Sequence, residues 1–329
     1  MKKKKFQFFL LTMLIVSMIL ATGCNLFNTG NVPDETNGGG DVNGEEEVSE
    51  EENNGEGTET PPVETDKSQE IRDEFDLLKK TAGNIEEIFS FINENIMNSN
   101  PDLASDMVYA VIRLCEDYKF EFTDKFTDQE VQDTIYELSP SLEEFDLDML
   151  RNTDNEKVKA IIEEAINKKY KIMSVEGFIM PLVDYQAYDI YRQYLTQEMN
   201  DYLDIKLDES NRPSVLDAGI VIPVDDFIQR ILKSIKYLEN YPDSPRFDEV
   251  KNFNDGRIYV YLSGIDNNPV FDIDQKIIPE KLAEFQRMFT EYSDTRFGEI
   301  LGAYLDLLEQ EDYMRTQNIE DFLNNVSSN

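Results

Sequence analysis

Residues 71–102 read IRDEFDLLKKTAGNIEEIFSFINENIMNSNPD. Apolar side chains recur at Ile71, Phe75, Leu78, Ala82, Ile85, Phe89, Ile92 and Ile96, always three or four apart. Such steps return to one side of a 3.6-residue turn, so the stretch predicts one long amphipathic helix running through Gly83. Asn100-Pro101-Asp102 then supplies an N-cap, a proline whose missing N–H costs nothing in a first turn, and an acid facing the helix dipole. A second helix follows, carrying Leu103, Met107, Ala110, Val111, Leu114 and Tyr118 on its apolar side.

The same period extends outward to the C-terminus. Thr127 with Glu130, Ser141 with Glu144 and Thr153 with Glu156 have capping-box spacing and predict three helix starts. Val158, Ile161, Ile162, Ala165 and Ile166 mark the helix after the third. A further helix is expected from Val175 to Leu207, kinked near Gly177 and Pro181. Pro223 precedes a helix bearing Phe227, Ile231, Ile235 and Leu238, and Glu280 opens a helical run to Leu323. Arg257–Ser263 is rich in β-branched and aromatic residues and could pair with Pro269–Ile273, giving a small β-hairpin near 257–273. Phe247, Val250, Ile258, Tyr261 and Leu262 also fit helical spacing, with Ser244-Pro245 as cap and first residue. The helical surroundings favour that reading and leave Asp266–Asp274 as a loop. The βαβ alternation of a Rossmann-type domain is missing, as is a fixed repeat period. Residues 69–329 therefore predict an all-α, multi-helix domain of about ten helices, as one large unit or two closely packed halves.

The N-terminus has a different composition. Lys2–Lys5 precede the apolar stretch Phe6–Leu20, which is shorter than a normal bilayer span, and Ala21-Thr22-Gly23 lead into Cys24. This order resembles a bacterial lipoprotein leader, whose lipobox ends in a cysteine; here Ala21 stands where leucine is usual, with Leu20 one place earlier. The resemblance covers about the first 24 residues. It implies a signal peptide at 1–23, lipidation at Cys24 as a diacylglyceryl cysteine with palmitate-type chains, and a protein held by its lipid on the extracytoplasmic face of the cell membrane. Two acyl chains give stable retention where one gives only marginal binding.

Residues 24–68 are expected to form an acidic, disordered tether. From Asn25 to Ser68 there are 13 acids and one base, with the runs Glu45–Glu47 and Glu50–Glu52. Such a segment buries too little apolar surface to offset its ordering entropy. About 44 residues give a reach of roughly 35–40 Å, lengthened by charge repulsion.

Charge and residue counts exclude much. The chain of 329 residues carries 31 Lys and Arg, 68 Asp and Glu, no His and no Trp, for a formal charge of −37. Without histidine there is no Ser-His-Asp triad, Cys-His dyad or HExxH site. The charge disfavours nucleic acid, whose binding rests on Lys and Arg at phosphates. No cofactor is indicated. Residues 69–329 contain 55 acids against 26 bases, so −29 resides in the folded domain itself.

Four features invite chemistry. Asp266–Asp274 has oxygen-rich side chains but departs from a calcium loop: Val270, Phe271 and Ile277 occupy the fifth, sixth and twelfth positions. Cys115 lacks a cationic neighbour on its own helix face, since Arg113, two residues earlier, points to nearly the opposite side, and is expected to be a buried apolar residue. Acid pairs such as Asp184 and Asp189 do not stand out among so many carboxylates, and Ser234 lacks a properly spaced lysine. Tyr185, Tyr188, Tyr191 and Tyr194 recur every third residue; on an α-helix they would sweep around half the circumference, burying some rings and leaving others to line a ligand groove. No metal-binding or catalytic residue is assigned. These features point to a membrane-anchored lipoprotein whose helical domain binds a protein or small molecule without catalysis. The alternative is an all-α, carboxylate-dependent hydrolase acting on envelope polysaccharide.

Overall fold

The computed structural model describes residues 67–81, 84–139 and 145–326. The leader, Cys24 and the acidic stretch up to residue 66 lie outside the described residues, as does the Ser141–Glu144 pair. The domain is all-α with small antiparallel hairpins. Its twelve described α-helices are α1 (Ser68–Thr81), α2 (Ile85–Asn95), α3 (Pro101–Asp124), α4 (Gln129–Leu138), α5 (Leu147–Arg151), α6 (Glu156–Asn167), α7 (Gln197–Asn211), α8 (Val224–Asn240), α9 (Phe247–Ser263), α10 (Pro279–Tyr292), α11 (Arg296–Gln310) and α12 (Gln317–Val326). Among the described residues, no helix is long and apolar enough to cross a membrane.

The opening stripe is divided between two helices. Asn84 takes an extended conformation and accepts the N–H of Glu87, so α2 starts afresh where one helix was expected. The cap at Asn100 forms as its sequence requires, accepting the N–H of Leu103 at 3.0 Å ahead of Pro101. Two predicted capping boxes are replaced by nearer polar groups. Asp128, not Thr127, caps α4 through Glu130 N–H, while Thr127 donates to the Asp124 carbonyl. Asn155, not Thr153, caps α6 through Lys157 and Val158, and Thr153 Oγ1 accepts the N–H of Asn155. Asp and Asn carry a short carbonyl-type acceptor and compete effectively for the cap. Arg246 likewise replaces Ser244-Pro245 at the start of α9, where Ser244 Oγ accepts the N–H of Arg246.

The expected helix from Val175 to Leu207 is not formed. Its place is taken by a hairpin of β1 (Tyr170–Val175) and β2 (Phe178–Val183), a 3₁₀ helix over Tyr185–Tyr194, and α7. Val175 pairs with Phe178 across the two-residue loop Glu176-Gly177, at φ +52° and +74°. Two consecutive left-handed residues match the twist of a tight hairpin. Tyr170, Ile172, Ile179 and Val183 are buried. Gln132, buried on α4, donates to the Ile179 carbonyl at 2.8 Å and accepts the Ile179 N–H at 2.9 Å, covering the free edge of β2. In 257–273, α9 continues to Ser263. The described pairings there are the short ladder of β5 (Gly264–Ile265) with β6 (Asn268–Pro269) and an isolated bridge from Phe271 to Ile277, so the helical reading holds with a much smaller hairpin beyond it.

Two hydrophobic cores result. The first collects apolar residues of α1–α7, the hairpin and the 3₁₀ helix, together with Tyr237 and Val250. The second collects Phe227, Ile231, Tyr261, Leu262, Phe285, Phe297, Tyr304 and their neighbours on α8–α12. Helices α8 and α9 contribute to both. The turns of three hairpins also meet: Glu176 Oε1 accepts the N–H of Asp217 in the turn between β3 (Val215–Leu216) and β4 (Gly219–Ile220), and the Ala218 carbonyl accepts the N–H of Asn267 between β5 and β6.

Candidate functional site

Between the cores, α7 presents Glu198, Lys206 and Glu209 toward α8 and α9. Each glutamate organises a polar cluster. Glu198 accepts from Arg246 Nε at 2.8 Å and from Ser244 at 2.6 Å, and also from Arg246 Nη2 and Tyr237 Oη. Glu209 accepts from Arg230 at 2.9 Å, Arg257 at 3.0 Å, and both the backbone and hydroxyl of Ser214. The Arg257 guanidinium also stacks over the Phe253 ring at 3.9 Å. Arg246 and Arg257 are only 4% and 5% exposed, so their charges depend on these carboxylates.

The third cluster joins α9 back to α3. Glu249 accepts from Tyr109 at 3.1 Å, Tyr202 at 2.9 Å and Lys206 at 3.0 Å, with Arg113 at 3.8 Å. Nearby, Glu116 accepts from Tyr185 at 2.8 Å and Lys119 at 3.0 Å. Burial alone would raise the Glu116 carboxyl, but Lys119, Lys206 and the Tyr185 hydroxyl outweigh it and hold it down to about 2. The same balance, burial opposed by stronger cation and hydroxyl contacts, lowers Glu198, Glu209 and Glu249. All four are therefore ionised acceptors at neutral pH and have no proton to donate.

Because the Glu116 carboxyl is depressed in the folded state, its contribution is complete above the ordinary value near 4.5 and is lost as pH falls through about 2. Glu116→Gln is expected to flatten the pH dependence of unfolding free energy across that window. The wild-type slope should exceed that of the variant by up to about 1.4 kcal/mol per pH unit, measured by urea unfolding at stepped pH. Equal slopes would refute this role.

The tyrosine series lies on a 3₁₀ helix, where three residues make one turn and side chains three apart stack on one side. The expected sweep around an α-helix is thereby corrected. Tyr185, Tyr188 and Tyr191 are buried against the first core, with successive ring centroids 6.2 and 6.4 Å apart, and Tyr194 is half-buried beside them. Their hydroxyls meet protein groups: Tyr185 donates to Glu116, Tyr188 to Cys115 Sγ at 3.6 Å, and Tyr191 to Asn93 at 2.7 Å. Tyr185, Tyr188 and Tyr191 thus face the interior, with Tyr194 partly exposed at the end of the series. Cys115 is fully buried, and burial pushes its thiol up to about 12, opposite to the shift a reactive thiol needs.

Asp184 caps the 3₁₀ helix and Asp189 pairs with Arg192 at 2.6 Å. Ser234 accepts from Arg257 and donates to the Arg230 carbonyl. Within 266–274, Asp272 turns its carboxylate onto the N–H groups of Asp274 and Lys276. Among the described residues, no group of three or more His, Cys, Asp or Glu side chains is arranged to hold a metal ion. A shallow depression between α1 and α2, of about 380 Å³, is lined by Leu78, Phe91, Ser90, Glu86, Glu87 and Glu94, with Asn84 at its rim.

The three glutamate clusters escaped sequence reasoning, although acids at Glu198 and Glu209 flank Lys206 on one helix. Their charged partners lie more than twenty residues away. The chain matches no protein-family model, no curated protein and no solved structure.

Proposed function

We propose that the chain is a bacterial envelope lipoprotein, held by diacylglyceryl Cys24 on the extracytoplasmic face of the membrane, whose all-α domain acts by binding a protein or small molecule. The observation that carries the anchoring is the order Lys2–Lys5, Phe6–Leu20, Ala21-Thr22-Gly23, Cys24. The following acidic residues suit a spacer that holds the domain away from the membrane. Binding without catalysis is the reading favoured by a chain with no histidine, which lacks the commonest general acid and base at neutral pH.

Cys24→Ala tests the anchor. Mass spectrometry of the N-terminal peptide from cells is expected to begin at Cys24 carrying a diacylglyceryl group in the wild type, and to show neither that lipid nor that cleavage in Cys24→Ala. A wild-type N-terminal peptide without lipid at Cys24 would sink the assignment.

A further inference from the structure

Helix α1 places Ile71, Phe75 and Leu78 at steps of four and three, on one narrow face. Its buried apolar side chains are Ile71 and Phe75, two in 14 residues, whereas α2 buries Ile85, Ile88, Phe89 and Ile92 within 11. Leu78 is half-buried and the adjacent Leu77 is 62% exposed. The Phe75 ring meets Phe91 of α2 at 5.7 Å. Polar ties run to α3 and its cap: Arg72 pairs with Asp106 at 3.0 Å, both side chains exposed, and Asn100 N–H donates to Ser68 Oγ at 2.8 Å. The shallow depression lies on the α1–α2 seam, between Leu78 and Phe91, so α2 is not closed onto the last turn of α1. Elements held by few buried contacts open before the whole domain unfolds.

We propose that α1 is a displaceable helix, seated in a groove between α2 and α3 that takes in its place a basic amphipathic helix of a partner protein. The resident helix shows what the groove accepts: large apolar side chains at i, i+4 and i+7, the anchor spacing of helix-in-groove recognition. Charge selects the replacement. Glu87 and Glu94 of α2 and Asp106 of α3 border the seat of α1. On α1 itself Glu70, Asp73, Glu74 and Asp76 outnumber Arg72, Lys79 and Lys80, and Lys79 is turned onto Asp76 at 2.8 Å. A helix with the same apolar spacing, and lysine or arginine where α1 has acids, gains attraction that α1 lacks. A second copy of this chain offers only another acidic α1, and an anionic lipid surface meets like charge.

The proposal rests on the reading that the domain works by binding a protein. Two fluorescent peptides test it against the full chain by anisotropy: residues 68–81 as they stand, and the same peptide with Glu70→Lys and Glu74→Lys. The basic peptide is expected to bind more tightly, with the difference shrinking as salt is raised. Phe75→Ala in the full chain weakens the resident helix and leaves α2 and α3 untouched, so it should tighten peptide binding by at least about tenfold, because the seat is open for a larger fraction of the time. Leu323→Ala, a truncation in the second core, should leave peptide affinity unchanged. In the wild-type chain, hydrogen exchange adds a readout that needs no variant: saturating basic peptide should speed exchange of the amides of residues 71–80 and leave those of residues 107–115 on α3 protected. Equal affinity for wild type and Phe75→Ala, with α1 still protected, would overturn the displaceable helix and leave binding by another surface. Tighter binding to Leu323→Ala as well would overturn it, since general loosening would then explain the gain. No binding of either peptide to either chain would overturn it and count against the binding reading.

Discussion

Glu209→Ala is expected to destabilise the domain by about 3–5 kcal/mol, the range for stripping one partner from a buried ion cluster. Glu209 is the carboxylate shared by Arg230 and Arg257. Their side chains are only 11% and 5% exposed, so water cannot restore the lost solvation of two guanidiniums at once. The substitution also removes the acceptor of Ser214 N–H and Oγ, at the start of the connection that leads to β3. Glu209→Gln should fall between wild type and Glu209→Ala, because an amide oxygen can still accept from Ser214 but carries no charge for the arginines. Urea unfolding measures the difference, and for a domain of this size the stability loss corresponds to a Tm drop on the order of 10 °C. A loss below about 1 kcal/mol would mean that Glu209 does not hold the two cores together.

Gly298→Ala is the second large effect, and its sign opposes intrinsic propensity. Alanine inside a helix is normally better than glycine by about 1 kcal/mol. Gly298 occupies the first turn of α11, where Thr295 accepts its N–H and the chain has just left α10. A Cβ built there stands 2.0 Å from the Tyr292 carbonyl oxygen and 2.8 Å from Ser293 Cα. These are backbone atoms, so relief requires separating α10 from α11, two helices that pack Phe285 against Tyr304 in the second core. The expected loss is about 3 kcal/mol by denaturant unfolding, at the upper end for overpacking. Gly177→Ala is the control. Its Cβ would meet nothing within 4 Å, so only the left-handed backbone at φ +74° resists it, at about 1 kcal/mol. If the two substitutions cost the same, steric contact at Tyr292 is not what selects glycine at position 298.

Glycines also show where local pattern was informative and where it misled. Helices α3 and α8 could be read directly, because an apolar period of 3.6 is a property of consecutive residues and each helix buries one face, whereas α9 buries Val260 to Ser263 on all sides and its residues also suited a strand. The helix expected from Val175 to Leu207 failed because apolar residues at spacings of three and four also fit, over short spans, a hairpin followed by a 3₁₀ turn. The discriminating signal was Glu176-Gly177, a two-residue left-handed loop between segments rich in β-branched and aromatic residues. The tyrosines held a second signal. A strict period of three is the period of a 3₁₀ helix, and it turns Tyr185, Tyr188 and Tyr191 onto one buried side. Capping at Asp128 and Asn155 was displaced by one or two residues from the predicted hydroxyls, since several neighbouring polar groups can satisfy the same free N–H.

The candidate site divides similarly. Helical class, the capped start at Asn100 and the exclusion of histidine chemistry follow from sequence alone, because each depends on residue identity or near-neighbour spacing. Tertiary structure decided which of the many acids became structural ions. Arg257 reaches Glu209 across 48 positions, Arg246 reaches Glu198 across 48, and Lys206 reaches Glu249 across 43. Coulomb attraction and desolvation depend on distance through space and on what surrounds a group. Only the packing of α7 against α8 and α9 brings those charges within hydrogen-bonding distance and removes most of their water.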